Sequence, residues 1–261
     1  MRITKDYIKQ GQYKTTAYLQ TRIDLHTLFS NYSFHSWIYS KLPITRPARV
    51  LQVACGTGQF MAENYYKFPA GSTFVLTDVS EAMVHRCEER LDFMQNVTFQ
   101  VCDFETLPFP DESFDIVLAH HCIYHADHEK SLPELKRVSK VDGFVSVTTN
   151  SESHMLNVFE LGIRLSPQFP KDRHIDTFVS EKADKILPKH FPKIQKSVSR
   201  DVLKVTDASY VTGFIRSEIE ARQTGVDEDF YELYTRNVDE VIRERCFYEI
   251  PKISPLYVCS K

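Results

Sequence analysis

The stretch that decides the fold is VLQVACGTGQF, residues 50–60, in which an apolar run opens into a Gly-x-Gly turn. A short apolar run is typical of a buried parallel strand, and the glycines let backbone approach a bound ligand closely. Asp78 follows 20 residues after Gly58, at the end of a second apolar run. A carboxylate at this separation is typical of one that holds ribose hydroxyls. The pattern predicts a nucleotide-like ligand at the carboxyl ends of parallel strands.

The glycine pattern disfavours a nicotinamide dinucleotide as that ligand. The dinucleotide fingerprint has a third glycine three residues after the second, where helix and strand pack closely behind the pyrophosphate. Met61 occupies this position. A Gly-x-Gly turn also occurs between strands and helices that bind nothing, so the loop alone does not identify a ligand.

Four ordered stretches resemble the class I S-adenosylmethionine-dependent methyltransferases, and together they cover about residues 48–150. They are the first strand and loop at 50–58, FVLTDVS at 74–80, FQVCDFETLPFPDESFDIVLAHH at 99–121 and ELKRVSKVDGFVSVTT at 134–149. In the last stretch, Val141, Asp142 and Gly143 stand where the family usually has a Pro-Gly-Gly turn before its fifth strand. The resemblance implies a cofactor, S-adenosylmethionine, and methyl transfer.

The resemblance also implies roles for individual residues at the cofactor. Asp78, followed by Val79, would bind the ribose; Asp103 would accept the adenine amino group with Phe104 beside the base, and the His120 backbone would flank the methionine moiety. The loop residues implied are Gln52, Ala54, Cys55, Gly56 and Gly58. Two of them depart from the family pattern, because Gln52 replaces a carboxylate and Ala54 replaces the first glycine. Gln52 can still accept a hydrogen bond but carries no charge.

The most unusual stretch is His120 to His128, HHCIYHADH, which begins where the fourth strand should end. Imidazole and thiolate are good metal ligands, but the spacing matches no common zinc pattern, and strand alternation would turn His120 and His121 to opposite faces. No metal is therefore expected. A structural role, with ring nitrogens capping loop carbonyls, and a catalytic role both remain open.

In the family this loop lies between cofactor and acceptor and often carries a histidine after an apolar or aromatic residue. Tyr124 and His125 fill that place. For a hydroxyl or ammonium acceptor the site needs a base, and histidine suits that task. We expect His125 to be the base, His121 to be the second candidate and Tyr124 to orient the acceptor; His26 could reach in from an N-terminal helix. A thiol or neutral amine acceptor would require no base.

The predicted fold class is α/β: a doubly wound, mostly parallel seven-stranded sheet, with N-terminal helices and an inserted helical lid. Residues 1–45 would form the N-terminal helical cap, 46–150 the cofactor-binding core, and 151–261 the lid, the acceptor region and the last two strands of the same single domain. Ser80 is a predicted N-cap, and Ser131 with Glu134 a predicted capping box with Pro133 in the first turn. The last strands are predicted at 193–205 and 254–259, and helices near 207–221 and 227–245.

Near the N-terminus, Tyr18, Arg22, His26 and Phe29 are spaced along one helical face. This helix either closes over the cofactor or merely packs against the sheet.

Composition favours a water-soluble enzyme with a small-molecule partner. The formal net charge is −3, from 32 basic and 35 acidic residues, so no general attraction to nucleic acid is indicated. The six cysteines form no Cys-x-x-Cys pair, which fits a reducing cytoplasm. Neither a signal sequence nor an apolar stretch of about 18 residues is present, so no membrane association is expected. Oligomeric state is not predicted.

Three hypotheses follow for function. The first is transfer of a methyl group from S-adenosylmethionine to a small molecule by in-line displacement. The second keeps this chemistry but places the acceptor on RNA or protein, which would require a basic or grooved surface. The third is a non-catalytic cofactor-binding or scaffold protein, motivated by Gln52 and Ala54. Fold alone does not identify the acceptor.

Overall fold

The computed structural model describes residues 17–171, 173–220 and 226–261. Its seven-stranded sheet has the order β3-β2-β1-β4-β5-β7-β6. The strands are β1 Arg49–Val53, β2 Thr73–Asp78, β3 Val97–Val101, β4 Phe114–His120, β5 Ser139–Thr148, β6 Lys193–Val205 and β7 Tyr248–Ser260. The first five strands pair in parallel, and β7 pairs antiparallel with β5. The predicted doubly wound, mostly parallel sheet is confirmed.

Helices alternate with the strands through the first part of the chain. They are α1 Ala17–Leu28, α2 Phe34–Lys41, α3 Gln59–Asn64, α4 Glu81–Arg90, α5 His128–Val138, α6 Leu156–Leu165, α7 Ser180–Ile186, α8 Ala208–Ile219 and α9 Glu228–Arg245. The helices predicted near 207–221 and 227–245 correspond to α8 and α9, although residue 221 lies outside the described residues. No described helix is long and apolar enough to cross a bilayer.

The chain divides into two compact units, and both are discontinuous in sequence. The first comprises 1–33, 152–173 and 200–253; the second comprises 34–151, 174–199 and 254–261. The glycine loop, Asp78 and the histidine stretch all belong to the second unit, which we call the cofactor unit.

The sheet of the cofactor unit is buried on both faces, as a doubly wound fold requires. Along β1, Val50 packs into one apolar cluster while Leu51 and Val53 pack into the other. Met83 and Cys87 of α4 are buried, as are Leu135 and Val138 of α5, so the predicted inward stripes of both helices are confirmed.

The predicted capping box at Ser131 and Glu134 is wrong. Helix α5 begins one turn earlier, at His128, and its N-cap is Asp127, whose carboxylate accepts from the Glu129 amide at 3.1 Å. Asp caps a helix as well as Ser does. Because Asp127 comes before Ser131 in the chain, the helix starts at the earlier cap. Ser131 is consequently buried inside the helix, and Pro133 lies in the second turn instead of the first.

The turn expected at Val141–Gly143 is also absent. Helix α5 ends at Val138 and β5 begins directly at Ser139, so these residues lie within the strand. The register between β4 and β5 shifts in this region, between Phe114 and Ile116. A Cβ on Gly143 would lie only 2.6 Å from the Asp115 carbonyl oxygen, so close strand approach requires glycine here. Strand β7 is likewise longer than the predicted 254–259, because it starts at Tyr248.

The other unit has its own core, in which α1 packs on α8. Arg22 of α1 is buried and pairs with Glu218 of α8 at 3.0 Å. The His26 ring lies 6.2 Å from the Phe214 ring, and the Phe29 ring 5.1 Å from that of Tyr210. The predicted shared face of Arg22, His26 and Phe29 is therefore a packing face; the Tyr18 side chain lies outside the described residues.

Candidate cofactor site

The loop after β1 is a tight turn built on left-handed backbone. Ala54, Gly56 and Gly58 have φ angles of 47°, 55° and 76°. A Cβ on Gly56 would meet no atom within 4 Å, whereas one on Gly58 would lie 2.8 Å from Cys87 Sγ of α4. The loop is therefore open at Gly56, where a ligand can approach the backbone, and closed against α4 at Gly58.

Asp78 fastens this loop to the end of β2. One carboxylate oxygen accepts from the Gly56 amide at 3.0 Å, and the other accepts from the Ser80 amide at 2.9 Å. Burial raises the pKa of Asp78, and the amides of Ser80, Gly56 and Val79 oppose that rise. The structure thus brings the glycine loop into contact with Asp78, which lies 20 residues after Gly58 in the sequence.

Two buried polar atoms beside this loop lack a partner among the residues that the structure describes. Gln52 lies on β1, opposite Leu118 of the neighbouring parallel strand β4. His120 is the last residue of β4. Within 17–171, 173–220 and 226–261, neither Gln52 Oε1 nor His120 Nδ1 has a hydrogen-bond partner. A buried polar atom without a partner destabilises the fold by about 1–3 kcal/mol, so both atoms fit a site whose ligand supplies the missing bonds.

His120 is held as a neutral imidazole. Its Nε2 lies 2.9 Å from Ser146 Oγ on β5, and its ring lies 4.9 Å from the Phe60 ring. Burial lowers the pKa of His120 well below its ordinary value, and the nearby His121 and His35 lower it further. A neutral ring can donate from one nitrogen and accept at the other.

His121 does not continue the strand, so the strand alternation that the sequence predicts for both histidines does not reach it. Strand β4 ends at His120, and His121 has a φ of 51°. Its amide donates to the carbonyl and hydroxyl oxygens of Thr148, each at 3.1 Å. The His121 ring lies 5.3 Å from that of Phe34 on α2, so both imidazoles contact aromatic residues of α2 and α3.

The loop after β3 lies along the same edge of the sheet. The Cys102 amide donates to the Asp78 carbonyl at 3.0 Å. Asp103 accepts from the Glu105 amide at 3.0 Å, and Glu105 accepts from the Asp127 amide at 2.8 Å. Phe104 packs against the core beside them. These bonds connect the proposed adenine-binding residues to the loop that follows β4.

Tyr124 and His125 lie in a short turn, Ile123–His125, in that loop. Their rings are 4.6 Å apart and edge to face. The Tyr124 carbonyl accepts from Thr177 Oγ1 at 2.8 Å, and the His125 amide donates to the Cys122 carbonyl at 2.9 Å. The turn is thereby fixed by backbone bonds, while the catalytic roles of both side chains remain predictions. No cluster of three or more metal-ligating side chains occurs in the part of the chain that is described.

Sequence reasoning missed the aromatic and polar groups that surround the histidines. His35 Nδ1 of α2 lies 3.0 Å from Glu63 Oε1 of α3, and the His35 ring lies 6.1 Å from that of Phe60. Nothing in the local sequence of α2 indicates this contact. Ser146 could have been found, because parallel pairing places the last residues of β5 beside the last residues of β4.

Comparison with known proteins decides the family. Residues 51–147 match the family model described as a methyltransferase domain. Residues 51–147 are a methyltransferase domain. The family uses S-adenosylmethionine, so the predicted cofactor is confirmed together with the predicted family. The residues present are compatible with such a cofactor, because Gln52 Oε1 is a buried acceptor without a partner among the described residues and the backbone at Gly56 beside Asp78 is open.

The relatives of this methyltransferase domain differ in what their names say they methylate. A ubiquinone/menaquinone biosynthesis C-methyltransferase of Geotalea uraniireducens is 35% identical over 99 residues, covering 36% of this chain and 42% of that protein. A malonyl-[acyl-carrier protein] O-methyltransferase of Paenibacillus sp. is 29% identical over 117 residues, covering 43% of this chain and 42% of that protein. The chain thus spans about two fifths of these curated relatives.

Among solved structures, a phosphoethanolamine N-methyltransferase 2 of Haemonchus contortus superposes with a TM-score of 0.58 at 17% identity. The match covers 98% of this chain and 59% of that one, whose structure holds phosphomonomethylethanolamine and S-adenosylhomocysteine. At this identity the likeness shows the fold alone. Carbon, oxygen and nitrogen methyltransferases all resemble the domain, so family membership leaves the acceptor open.

Proposed function

We propose that this protein transfers the methyl group of S-adenosylmethionine to an oxygen, nitrogen or sulfur nucleophile of a small molecule by in-line displacement. The observation that carries the proposal is the left-handed loop at Gly56 tied to Asp78, beside the unpartnered Gln52 Oε1. A small acceptor is favoured because basic and acidic residues nearly balance, 32 against 35, which gives no general attraction to nucleic acid. The six free cysteines support a reducing cytoplasmic location.

In this proposal each cofactor residue holds a different part of the ligand. Asp78 accepts from ribose hydroxyls with Val79 beside it, Asp103 accepts from the adenine amino group, and Phe104 packs against the base. Gln52 accepts from the ammonium. The backbones of Ala54, Cys55, Gly56, Gly58 and His120 line the methionine side. When bound, the cofactor supplies a sulfonium methyl group with an excellent leaving group.

The protein's own contribution to the reaction is alignment, exclusion of water and removal of a proton. Alignment converts the displacement into an effectively intramolecular step. For a hydroxyl or ammonium acceptor, we assign proton removal to His125, with His121 as the second candidate and Tyr124 orienting the acceptor. A thiol or neutral amine needs no base, and these side chains would then only shape the site.

Calorimetric titration with S-adenosylhomocysteine tests the cofactor site. We expect saturable binding that weakens at least about tenfold, or about 1.4 kcal/mol, in Asp78→Ala, because the variant loses both the ribose acceptor and the bond that holds Gly56. Asp92→Ala removes an exposed carboxylate of the same unit and should leave the affinity unchanged. Absence of binding, or equal binding of NADH, would contradict the proposal.

Substitution of the proposed base separates catalysis from binding. In an acceptor screen with oxygen nucleophiles, His125→Gln should lower the turnover rate by about a hundredfold or more while S-adenosylhomocysteine still binds normally. A rate unchanged in His125→Gln but lost in His121→Gln would transfer the role to His121. Normal cofactor binding with no turnover on any acceptor would support a non-catalytic scaffold instead.

A further inference from the structure

His35, on α2 of the cofactor unit, lies close to the proposed cofactor residues without being one of them. Its ring lies 6.1 Å from the Phe60 ring, which in turn lies 4.9 Å from the ring of His120 at the end of β4. Phe60 is the second residue of α3, the helix that begins directly after Gly58. One aromatic ring next to the glycine loop thus contacts both His35 and His120.

A chain of hydrogen bonds runs from α4 through α3 and ends at His35. Arg90 of α4 donates to Gln59 Oε1, and Gln59 Nε2 donates to Glu63 Oε1 at 2.9 Å. The same carboxylate oxygen lies 3.0 Å from His35 Nδ1. Because arginine can only donate, the oxygen of the Gln59 amide must face it, and an ionised carboxylate can only accept. His35 Nδ1 must therefore carry the proton that is shared with Glu63.

The tautomer selected by this chain leaves the second ring nitrogen of His35 as a hydrogen-bond acceptor. In a neutral imidazole with its proton on Nδ1, the lone pair is on Nε2. Over residues 17–171, 173–220 and 226–261, Nε2 has no hydrogen-bond partner and is not a buried atom. Since the His35 side chain is 33% exposed, a ligand can reach this lone pair.

The surroundings of His35 favour a neutral hydroxyl group over a cation as the ligand group. Glu63 and Arg90 carry opposite charges and are joined by the chain of hydrogen bonds, so the chain offers no net negative charge to an ammonium group. The His35 ring lies 6.4 Å from the ring of Phe34, which stacks on Trp37 at 5.7 Å. Aromatic rings favour an apolar ligand body, and the lone pair favours an O–H donor.

We propose that His35 Nε2 binds a hydroxyl group of an apolar methyl acceptor and that Glu63 is the positioning residue for this contact. This role rests on the proposed methyl transfer and adds a residue that selects the acceptor, while proton removal stays with His125. An acceptor with a hydroxyl group on an apolar body should bind more tightly than the same molecule with an ether in place of that group.

NMR of the imidazole rings in the full chain tests the contact, with phenol as the hydroxyl probe and anisole as its methylated match. At mildly alkaline pH and saturating S-adenosylhomocysteine, the nitrogen shifts of His35 should show a proton on Nδ1 and none on Nε2. Phenol should move the Nε2 resonance saturably, and anisole should bind at least about tenfold more weakly because it has no proton to donate. His35→Phe keeps a ring but lacks Nε2, so it should remove the preference for phenol.

Glu63→Gln tests the positioning role. The variant lacks the charged acceptor that holds the Nδ1 proton, so His35 should become a mixture of tautomers and bind phenol more weakly. Glu89→Gln is the matched control, because Glu89 Oε1 lies 3.3 Å from His85 Nδ1 in a pair that is 52% and 70% exposed. It should change neither the tautomer of His35 nor the affinity for phenol.

A proton on His35 Nε2, equal affinities for phenol and anisole, or equal weakening in the two glutamate variants would each overturn the proposal. If S-adenosylhomocysteine binds but phenol does not move the His35 resonances, this role is disproved while the proposed methyl transfer stands. If S-adenosylhomocysteine does not bind, the proposed methyl transfer fails and this role fails with it.

Discussion

At the scale of single residues, Ala54 shows how this chain departs from its family without losing the loop. The backbone at Ala54 is left-handed, with a φ of 47°, a conformation that glycine adopts without strain. For a residue with a Cβ the same conformation destabilises the fold by about 1–2 kcal/mol. The neighbouring bonds from Cys55 to Thr77 and from Gly56 to Asp78 hold it there.

Replacing Ala54 with glycine should therefore stabilise the protein. We expect the free energy of unfolding to rise by about 0.5–1 kcal/mol, since relief of strain exceeds the entropy that glycine loses on folding. Urea unfolding followed by fluorescence of Trp37, the single tryptophan, measures the change. The control is Ala62→Gly within α3, where glycine should lower the same free energy. Destabilisation by Ala54→Gly would show that the Cβ makes compensating contacts.

The buried His120 makes stability depend on pH. Its folded pKa lies well below the ordinary 6.5, so the unfolded chain takes up the proton first. The free energy of unfolding should then decrease as the pH falls below 6.5, until the folded pKa is reached. Denaturant unfolding at a series of pH values should show a shallower decrease in His120→Gln than in the wild type.

His85→Gln is the control for this pH series, since the His85 side chain is 70% exposed. Its pH dependence of stability should match that of the wild type. If His120→Gln also matched the wild type, the acid sensitivity would belong to other groups.

At the scale of elements, two side chains, those of Arg137 and Glu134, fasten α5 to the segment before β4. Arg137 donates to the carbonyl oxygens of Leu107 and Phe109 and pairs with Asp111 and Glu134. Glu134 in turn accepts from the Leu107 amide at 2.9 Å. A planar guanidinium can serve all these acceptors at once, which a lysine ammonium cannot. The predicted helix is thus positioned by a contact that its own sequence does not reveal.

Arg137→Ala should lower the free energy of unfolding by about 2 kcal/mol, because it leaves acceptors of a half-buried segment unsatisfied. Arg137 holds the pKa of Glu134 below its ordinary 4.5, so this stabilisation is present above that pH and is lost as the pH falls through the folded pKa. Denaturant unfolding at neutral and acidic pH measures both effects. Arg86→Ala, at a 59% exposed side chain with a 3.8 Å ion pair, should change stability little. If Arg137→Ala lowered the free energy of unfolding as little as Arg86→Ala does, a structural role for Arg137 would be excluded.

At the scale of the whole molecule, the chain passes repeatedly between its two units. The cofactor unit takes 34–151 first and is completed only by 174–199 and 254–261. Those later segments include residues of β7 that pair with β5, from Leu256 opposite Thr148 to Cys259 opposite Val145. Leu256, Tyr257 and Cys259 are buried. The matched family region, 51–147, is therefore only part of a folding unit.

A fragment of residues 34–151 should not fold cooperatively. Without β7 the edge of β5 is unpaired and the apolar surface against Leu256 and Tyr257 is exposed. Scanning calorimetry should show no sharp unfolding transition for the fragment and a sharp one for the full chain. Adding residues 174–199 and 254–261 through short linkers should restore the transition; a fragment that melts sharply by itself would disprove the requirement.

The sequence by itself determined the architecture and the cofactor loop, because both depend on local patterns. Apolar runs at 50–53 and 74–77 and the glycines between them specify strand, turn and helix with little help from distant residues. The last strand of the cofactor unit also follows from its own apolar pattern. Asp78 could be paired with Gly56 from spacing alone, since parallel strands end at a common edge.

Only the tertiary structure decided the surroundings of the histidines and the start of α5. Burial lowers the pKa of His120, and the residues that its ring contacts, Phe60 and Ser146, lie 60 and 26 positions away in the chain. Asp127 and Ser131 could each cap α5, and the folded structure shows that Asp127 does. Contacts between distant segments arise when the sheet is assembled, so periodicity and spacing within one element cannot specify them.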